Sequence, residues 1–293
     1  MGHGIAQVFA AAGQEVALMD LSEESLNSAL KNIRRNLEVM SEEGRMRAEE
    51  AGSVLGRITA TTDLQEAVEE ASMVVEAVPE RLDLKRDLFR ELDSLCPPRT
   101  VLSTNTSVIS ITEIASGAVR RGRIVGTHFW NPPYLVPLVE VVPGRETSEG
   151  TVDLACRLLE SAGMRPVRVK RDVPGFVGNR LQHALWREAI SIVERGIADA
   201  ETVDEVVKTG FGRRLAVLGP LENADLVGLD LTLQIHQYLL PHLEDSHRPS
   251  PLLRKKVEDG ELGFKSGRGF RAWTPRSMDE CRAALQRHLL RWR

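Results

Sequence analysis

The chain has 293 residues, 42% of them hydrophobic and 27% charged, which is room for two domains with cores of their own and the composition of a globular protein. A net charge of −4 excludes a nucleic-acid footprint and a basic surface for anionic lipid. No apolar run reaches the roughly 18 residues of a membrane span and no secretion signal is visible, so a cytoplasmic protein is expected. Cys96, Cys156 and Cys281 are scattered and form no CxxC, as reduced thiols would be. The seven histidines lack a ligand spacing such as HExxH, so no metal is expected.

The chain opens MGHGIAQVFAAAGQEVALMD. Ile5, Val8, Phe9 and Ala12 recur at helical spacing, Gly13 stops the pattern, residues 16–19 read as a strand, and Asp20 ends it. Helix, glycine, strand and acid form the second half of a dinucleotide-binding βαβ unit. Ser22 then caps a long charged helix, with residues 41–57 expected as a solvated hairpin. A strand follows over 58–61, Asp63 opens a helix to about residue 71, and 73–78 is an apolar run holding one acid, as in a buried parallel strand. Next come a helix over 84–95, a strand over 100–105, a helix from Ile111 and a strand over 124–129. Strands over 138–142 and 166–169 flank a helix near 148–162. This alternation predicts a Rossmann-type doubly wound parallel sheet.

The pattern changes near Val173-Pro174-Gly175. Helical runs over 176–195, 201–208, 220–243 and 250–258 follow, then a glycine-marked loop and a short terminal helix. Residues 1–171 are therefore expected as the α/β domain and 172–293 as an all-α domain. Leu226, Leu229, Leu233, His236 and Leu240 make one helix stripe, suited to a core or a dimer interface. His183, four residues after Asn179, shares its helix face and reads as packing or dimer surface.

Ligands of an open parallel sheet bind beyond the carboxyl ends of its strands. The polar residues there are Asp20, Glu76 with Glu80, Asn105 with Ser107, and His128 with Asn131. Asp20 is placed to bond an adenosine ribose, and with Leu21 rather than Arg after it, NAD is favoured over NADP. Glu140 is the only charge in Val136–Val142, and an acid inside an apolar strand needs a partner. The Asn131-Pro132-Pro133 turn can double the chain back and bring Glu140 to His128. A carboxylate on one imidazole nitrogen makes the other a better base, the requirement for taking the proton of an alcohol as its hydride leaves.

Ser103-Thr-Asn-Thr-Ser107, His128-Phe-Trp-Asn131-Pro, Glu140 and Asp172-Val-Pro-Gly-Phe-Val-Gly-Asn179-Arg180 resemble the L-3-hydroxyacyl-CoA dehydrogenase family in order and interval, including the 23 residues from Asn105 to His128. The likeness covers essentially the whole chain. It implies His128 as general base with Glu140 orienting it, and Ser107 and Asn179 on the substrate oxygens. It implies Asp20 on the ribose, Glu80, Lys85, Asn105 and Asn131 along the nicotinamide, Lys265 approaching the cofactor, and a helical domain that forms a homodimer. Against the family fingerprint, Gly2 is the last phosphate-loop glycine, and the central first strand with its two other glycines does not precede it. The expectation is an N-terminal truncation, with a gap in the sheet and weakened NAD binding.

The resemblance implies NAD-dependent oxidation of an L-3-hydroxyacyl-CoA to the 3-ketoacyl-CoA. Trp130, Tyr134, Pro137 and the longer Gly210–Pro220 segment depart from the acyl-CoA pattern. Tyr134, the longer loop and its Arg look more like the branch of L-gulonate 3-dehydrogenase (lambda-crystallin) and L-carnitine dehydrogenase, which favours a small free hydroxy acid as the second reading. Arg214, ahead of Arg213, would then hold the carboxylate. A non-catalytic binding or structural relative is the rival of a different class.

Overall fold

The structure is a computed structural model that describes residues 1–291. The chain divides into two compact units, the first comprising residues 1–180 and the chain from residue 283, the second residues 181–282. The expected boundary at 171 falls in the loop before this division.

The first unit opens with α1 (Gly2–Ala11) and β1 (Val16–Met19). Helix α2 (Glu23–Glu42) begins where Ser22 Oγ accepts the Ser25 amide, the N-cap expected there, and such a cap contributes about 1 kcal/mol. Residues 41–57 are not a solvated hairpin. After a short turn they form α3 (Ala48–Gly56), whose Val54 is buried with Ala6, Ala10, Ile33, Leu37 and Ile58. Then come β2 (Ile58–Thr61), α4 (Leu64–Val68) capped by Asp63, β3 (Met73–Glu76), α5 (Leu82–Leu95) and β4 (Val101–Thr104). Helix α6 (Ile111–Ala115), β5 (Ile124–Phe129), β6 (Leu138–Pro143), α7 (Glu149–Ser161) and β7 (Arg165–Arg168) complete the sequence.

The sheet order is β3-β4-β5-β6-β7, with β1 and β2 paired separately. The strands therefore form two sheets rather than one. One feature departs from the all-parallel expectation: β6 runs antiparallel to β5. No helix separates these two strands, and without a crossover the chain can only return alongside itself. Their register sets His128 directly opposite Glu140.

Alternating residues of the central strands serve opposite faces. Val101, Val125 and Val141 pack with Ile5 and Val8 of α1 and with Val152, Ala155 and Leu159 of α7. Leu102, Ile124 and Val142 pack with Phe89 and Leu92 of α5 and with Ile111 and Ile114 of α6. Since α1 also gives Ala6 and Ala10 to the cluster over β2, it bridges the two sheets. On the α5 face, buried Asp93 accepts the amides of Val119 and Arg120 and pairs with Arg120 and Arg123, tying α5 to the start of β5.

The second unit carries most of α8 (Gly178–Glu194), then α9 (Ala200–Thr209), α10 (Pro220–Val227), α11 (Leu229–Leu239) and α12 (Pro251–Glu258). Helix α13 (Pro275–Arg291) is longer than the short terminal helix expected. Gly228 divides the expected run 220–243 into α10 and α11, so the leucine stripe lies on two helices. Ser191 is the only buried residue between 181 and 282. Among the described residues no helix is long and apolar enough to cross a membrane.

Candidate active site

The site is assembled at the carboxyl ends of β3, β4 and β5 and at the start of α8. His128, second to last in β5, is 5% exposed, and Glu140 of β6 is 2% exposed. His128 Nδ1 lies 2.9 Å from Glu140 Oε2. The ionised carboxylate can only accept, so Nδ1 carries the proton and donates it, leaving Nε2 with a free lone pair. Nε2 has no partner among the described residues.

Glu140 is held from the other side too. Its Oε1 accepts the amides of Val177 at 2.9 Å and Gly178 at 3.0 Å, at the first turn of α8. The backbone of Phe176 stands at φ 49, which turns those two amides toward the carboxylate. Burial pushes the Glu140 carboxyl up, and the bonds from His128, Gly178 and Val177 pull it to a net position below the ordinary carboxylate range. Glu140 therefore stays an anion, as its role as acceptor for His128 requires.

Aromatic rings wall the imidazole. Phe176 and Trp130 lie 5.7 and 5.5 Å from it, centroid to centroid. The indole rests on Gly178, where a Cβ would sit 2.3 Å from Trp130 Cζ2, so only glycine fits there. Trp130 Nε1 is buried without a hydrogen-bond partner among the described residues, an unusual and costly state for an indole N–H.

Ser107 and Asn179 are brought together: Asn179 Nδ2 donates to the Ser107 carbonyl at 3.0 Å. Ser107 Oγ and Asn179 Oδ1 have no partner among the described residues and are free for a ligand. Asn105 Oδ1 accepts the Phe129 amide at 2.8 Å, stapling the end of β4 to the end of β5. Asn131 is exposed in the turn before the two prolines.

The residues fit NAD in part of its length. Asp20 is exposed at the carboxyl end of β1, with Oδ1 accepting the Ser22 amide and Oδ2 unpaired among the described residues. The first amides of α1 have no intrahelical acceptor, which favours an anion there. The tightest glycine of that helix is Gly4 rather than Gly2: a Cβ on Gly4 would lie 2.7 Å from Pro133, while one on Gly2 meets nothing closer than Ala77 at 3.8 Å. On the side expected to face the nicotinamide, the charged residues pair with one another. Lys85 is 1% exposed, and its ammonium is taken by Glu76 at 2.7 Å, the Val78 carbonyl at 3.3 Å and Glu80 at 3.4 Å. Glu76 was one of several polar strand-end residues in the sequence, and its pairing with Lys85 was not foreseen. In the second unit, Arg214 and Lys265 are exposed, and His183 packs edge-on against Trp186 with centroids 4.9 Å apart.

Two family models match the chain: 3-hydroxyacyl-CoA dehydrogenase, NAD binding domain, over residues 1–173, and 3-hydroxyacyl-CoA dehydrogenase, C-terminal domain, over residues 175–273. The chain is 44% identical over 271 residues to the "Probable 3-hydroxybutyryl-CoA dehydrogenase" of Bacillus subtilis (strain 168), covering 92% of this chain and 93% of that one. It is 38% identical over 227 residues to the lambda-crystallin homolog of Homo sapiens, covering 77% and 71%. Among solved structures it resembles 5-formyl-3-hydroxy-2-methylpyridine 4-carboxylic acid 5-dehydrogenase, an NAD+-dependent dismutase, with a TM-score of 0.91, 34% identity and coverage of 99% and 93%.

Proposed function

This chain belongs to the 3-hydroxyacyl-CoA dehydrogenase family of NAD-dependent oxidoreductases, and on that premise we propose that it oxidises an L-3-hydroxyacyl-CoA of the 3-hydroxybutyryl kind to the 3-ketoacyl-CoA. The observation that carries this is the buried His128–Glu140 pair at 2.9 Å. His128 Nε2 takes the proton of the substrate hydroxyl, while Glu140 fixes the tautomer and stabilises the imidazolium that forms. Ser107 Oγ and the second N–H of Asn179 Nδ2, the first being bound to the Ser107 carbonyl, donate to the substrate oxygens and orient the carbon that loses hydride. NAD, when bound, supplies the hydride acceptor; Asp20 would hold its ribose, with Glu80, Lys85, Asn105 and Asn131 toward the nicotinamide and Lys265 approaching the cofactor.

A second reading is a small free carboxylated alcohol, with exposed Arg214 holding the carboxylate. It is favoured by the near full-length likeness to a dehydrogenase named for a pyridine carboxylate. One assay separates the readings. NADH absorbance is followed with L-3-hydroxybutyryl-CoA, L-gulonate and L-carnitine, for the native chain and His128→Gln. NADH from the CoA ester, lost in His128→Gln, supports the first reading. NADH only from a free acid, lost in Arg214→Ala, supports the second. No NADH from any of the three with a folded, NAD-binding protein refutes the function.

The working form is a homodimer built through the helical unit. That unit holds no buried hydrophobic residue, while Leu221, Leu226, Leu229, Leu233 and Tyr238 stand 58% exposed or more. A helical unit without a buried face needs a second surface to cover it. Light scattering on Leu226→Glu/Leu233→Glu is expected to give a monomer mass, and an unchanged dimer would refute this interface. Reduced thiols and the NAD requirement suit the cytoplasm.

A further inference from the structure

Glu80 does something in this chain that contact with a cofactor does not explain. Its Oε1 accepts three donors from the loop after β4: Thr106 Oγ1 at 2.5 Å, the Ser107 amide at 2.9 Å and the Val108 amide at 3.1 Å. This loop has no regular structure of its own to set its course. Ser107 is thereby gripped on both sides of its Cα, by Glu80 at its N–H and by Asn179 at its C=O. Its hydroxyl stands where those two bonds put it.

Glu80 is itself anchored. Its Oε2 faces the ammonium of Lys85 at 3.4 Å. Lys85 is fixed in turn by Glu76, whose side chain is 1% exposed. Glu76 Oε1 also accepts the Val78 amide at 2.6 Å, and its Oε2 accepts Thr104 Oγ1 at 2.6 Å. One buried cation thus holds two carboxylates, one from the end of β3 and one from the loop beyond it. A buried carboxylate without a cation is costly, which holds Lys85 to Glu76; Glu80, 36% exposed, leans on that fixed ammonium. Burial pushes the Glu80 carboxyl up, but the bonds from Thr106, Ser107 and Val108 with the charge of Lys85 bring it net below the ordinary range, so the acceptor stays ionised.

We propose that Glu80 is a positioning residue for Ser107, and that the Glu76–Lys85 pair is the clamp that holds Glu80 in place. This rests on the reading above, in which Ser107 touches the substrate oxygen. The test is hydrogen exchange on the full chain without cofactor, followed by kinetics. In Glu80→Ala, the amides of Ser107 and Val108 exchange at least about tenfold faster, while those of β4 and β5 keep their protection. Glu80→Gln retains an acceptor oxygen without the charge and raises exchange at the same two amides by a smaller factor, about threefold, which supplies the answer should Glu80→Ala not fold. In turnover, Glu80→Ala lowers kcat about tenfold to hundredfold, the scale of a small misplacement of a reacting group. The KM for NAD changes less than kcat does. In a Ser107→Ala background the same change costs less than about twofold further, because the two residues act as one unit.

Unchanged exchange at Ser107 and Val108 in both Glu80 variants overturns the proposal. So do kcat losses that multiply in the double variant, or a loss confined to the KM for NAD. If the native chain oxidises no hydroxyl substrate, the functional reading fails while the exchange result still decides whether Glu80 holds this loop.

Discussion

Replacing Glu140 by Gln removes a charge and keeps a shape. Oε1 receives two backbone amides and Oε2 faces one imidazole nitrogen. The amide oxygen of Gln therefore settles on the side of Val177 and Gly178, since the reverse orientation would set an NH2 against two N–H donors. The NH2 then points at His128 Nδ1, which must accept. The imidazole proton moves to Nε2, and the nitrogen that faces the substrate can no longer take a proton. General base catalysis contributes about 10²–10⁴-fold, equal to about 3–5 kcal/mol at 1.36 kcal/mol per tenfold. The whole of it is at risk here, because His128 and Glu140 are buried and water cannot substitute for the carboxylate. NADH formation by Glu140→Gln with saturating substrate and NAD is expected to fall by that factor in kcat, with KM values little changed. Thermal unfolding should shift by no more than the worth of a charge-assisted bond, about 1.5–3 kcal/mol. A kcat within threefold of the native value, in a protein that unfolds normally, would refute the assignment of His128 as base.

Three further outcomes follow from the same structure. Gly178→Ala drives a methyl into Trp130 at 2.3 Å, so kcat should fall tenfold or more as the indole shifts against His128, at an overpacking cost of about 1–3 kcal/mol; Trp130→Leu in the same protein should recover part of the loss, and no recovery would deny the contact. Asp93→Ala strands Arg123, which is 7% exposed, at a cost of about 3–5 kcal/mol, measurable as a drop of roughly 10 °C in Tm. Glu140 and Asp93 both sit below their ordinary carboxyl values, burial opposing and hydrogen bonds prevailing. Their stabilisation is thus complete above about pH 4, near the ordinary values, and is lost as pH falls through the depressed ones. Urea midpoints should decline on acidification below about pH 4, less steeply in Glu140→Gln than in the native chain; equal slopes would show that Glu140 carries none of the linkage.

Local rules were legible where a residue's need can be met nearby. Ser22 and Asp63 needed amides and found them two or three residues on. Residues 41–57 were not legible, because charge dominates the sequence there while Val54, with Met46, Ala51 and Leu55 beside it, provides the packing. Those few apolar groups count only once α1 and α2 are present to receive them. The break at Gly228 was lost for a related reason: the leucine period continues across it, and periodicity measures spacing, not continuity of backbone.

Glu76 and Glu140 sharpen the point, because they posed the same problem. Each is a lone acid in an apolar strand and each had to find a partner. For Glu140 the doubling back at Asn131-Pro132-Pro133 named His128, and the strands register those two residues opposite each other. For Glu76 the partner lies nine residues on, in the first turn of the next helix, and the same rule applied to the nearest buried cation would have found it. The family resemblance implies a place for Lys85 along the cofactor and says nothing of Glu76. In the fold its ammonium is spent on two carboxylates. On the proposed function, Ser107 Oγ, Asn179 Nδ2 and His128 Nε2 meet the substrate, and Glu140, Glu80 and the Glu76–Lys85 pair place those three atoms.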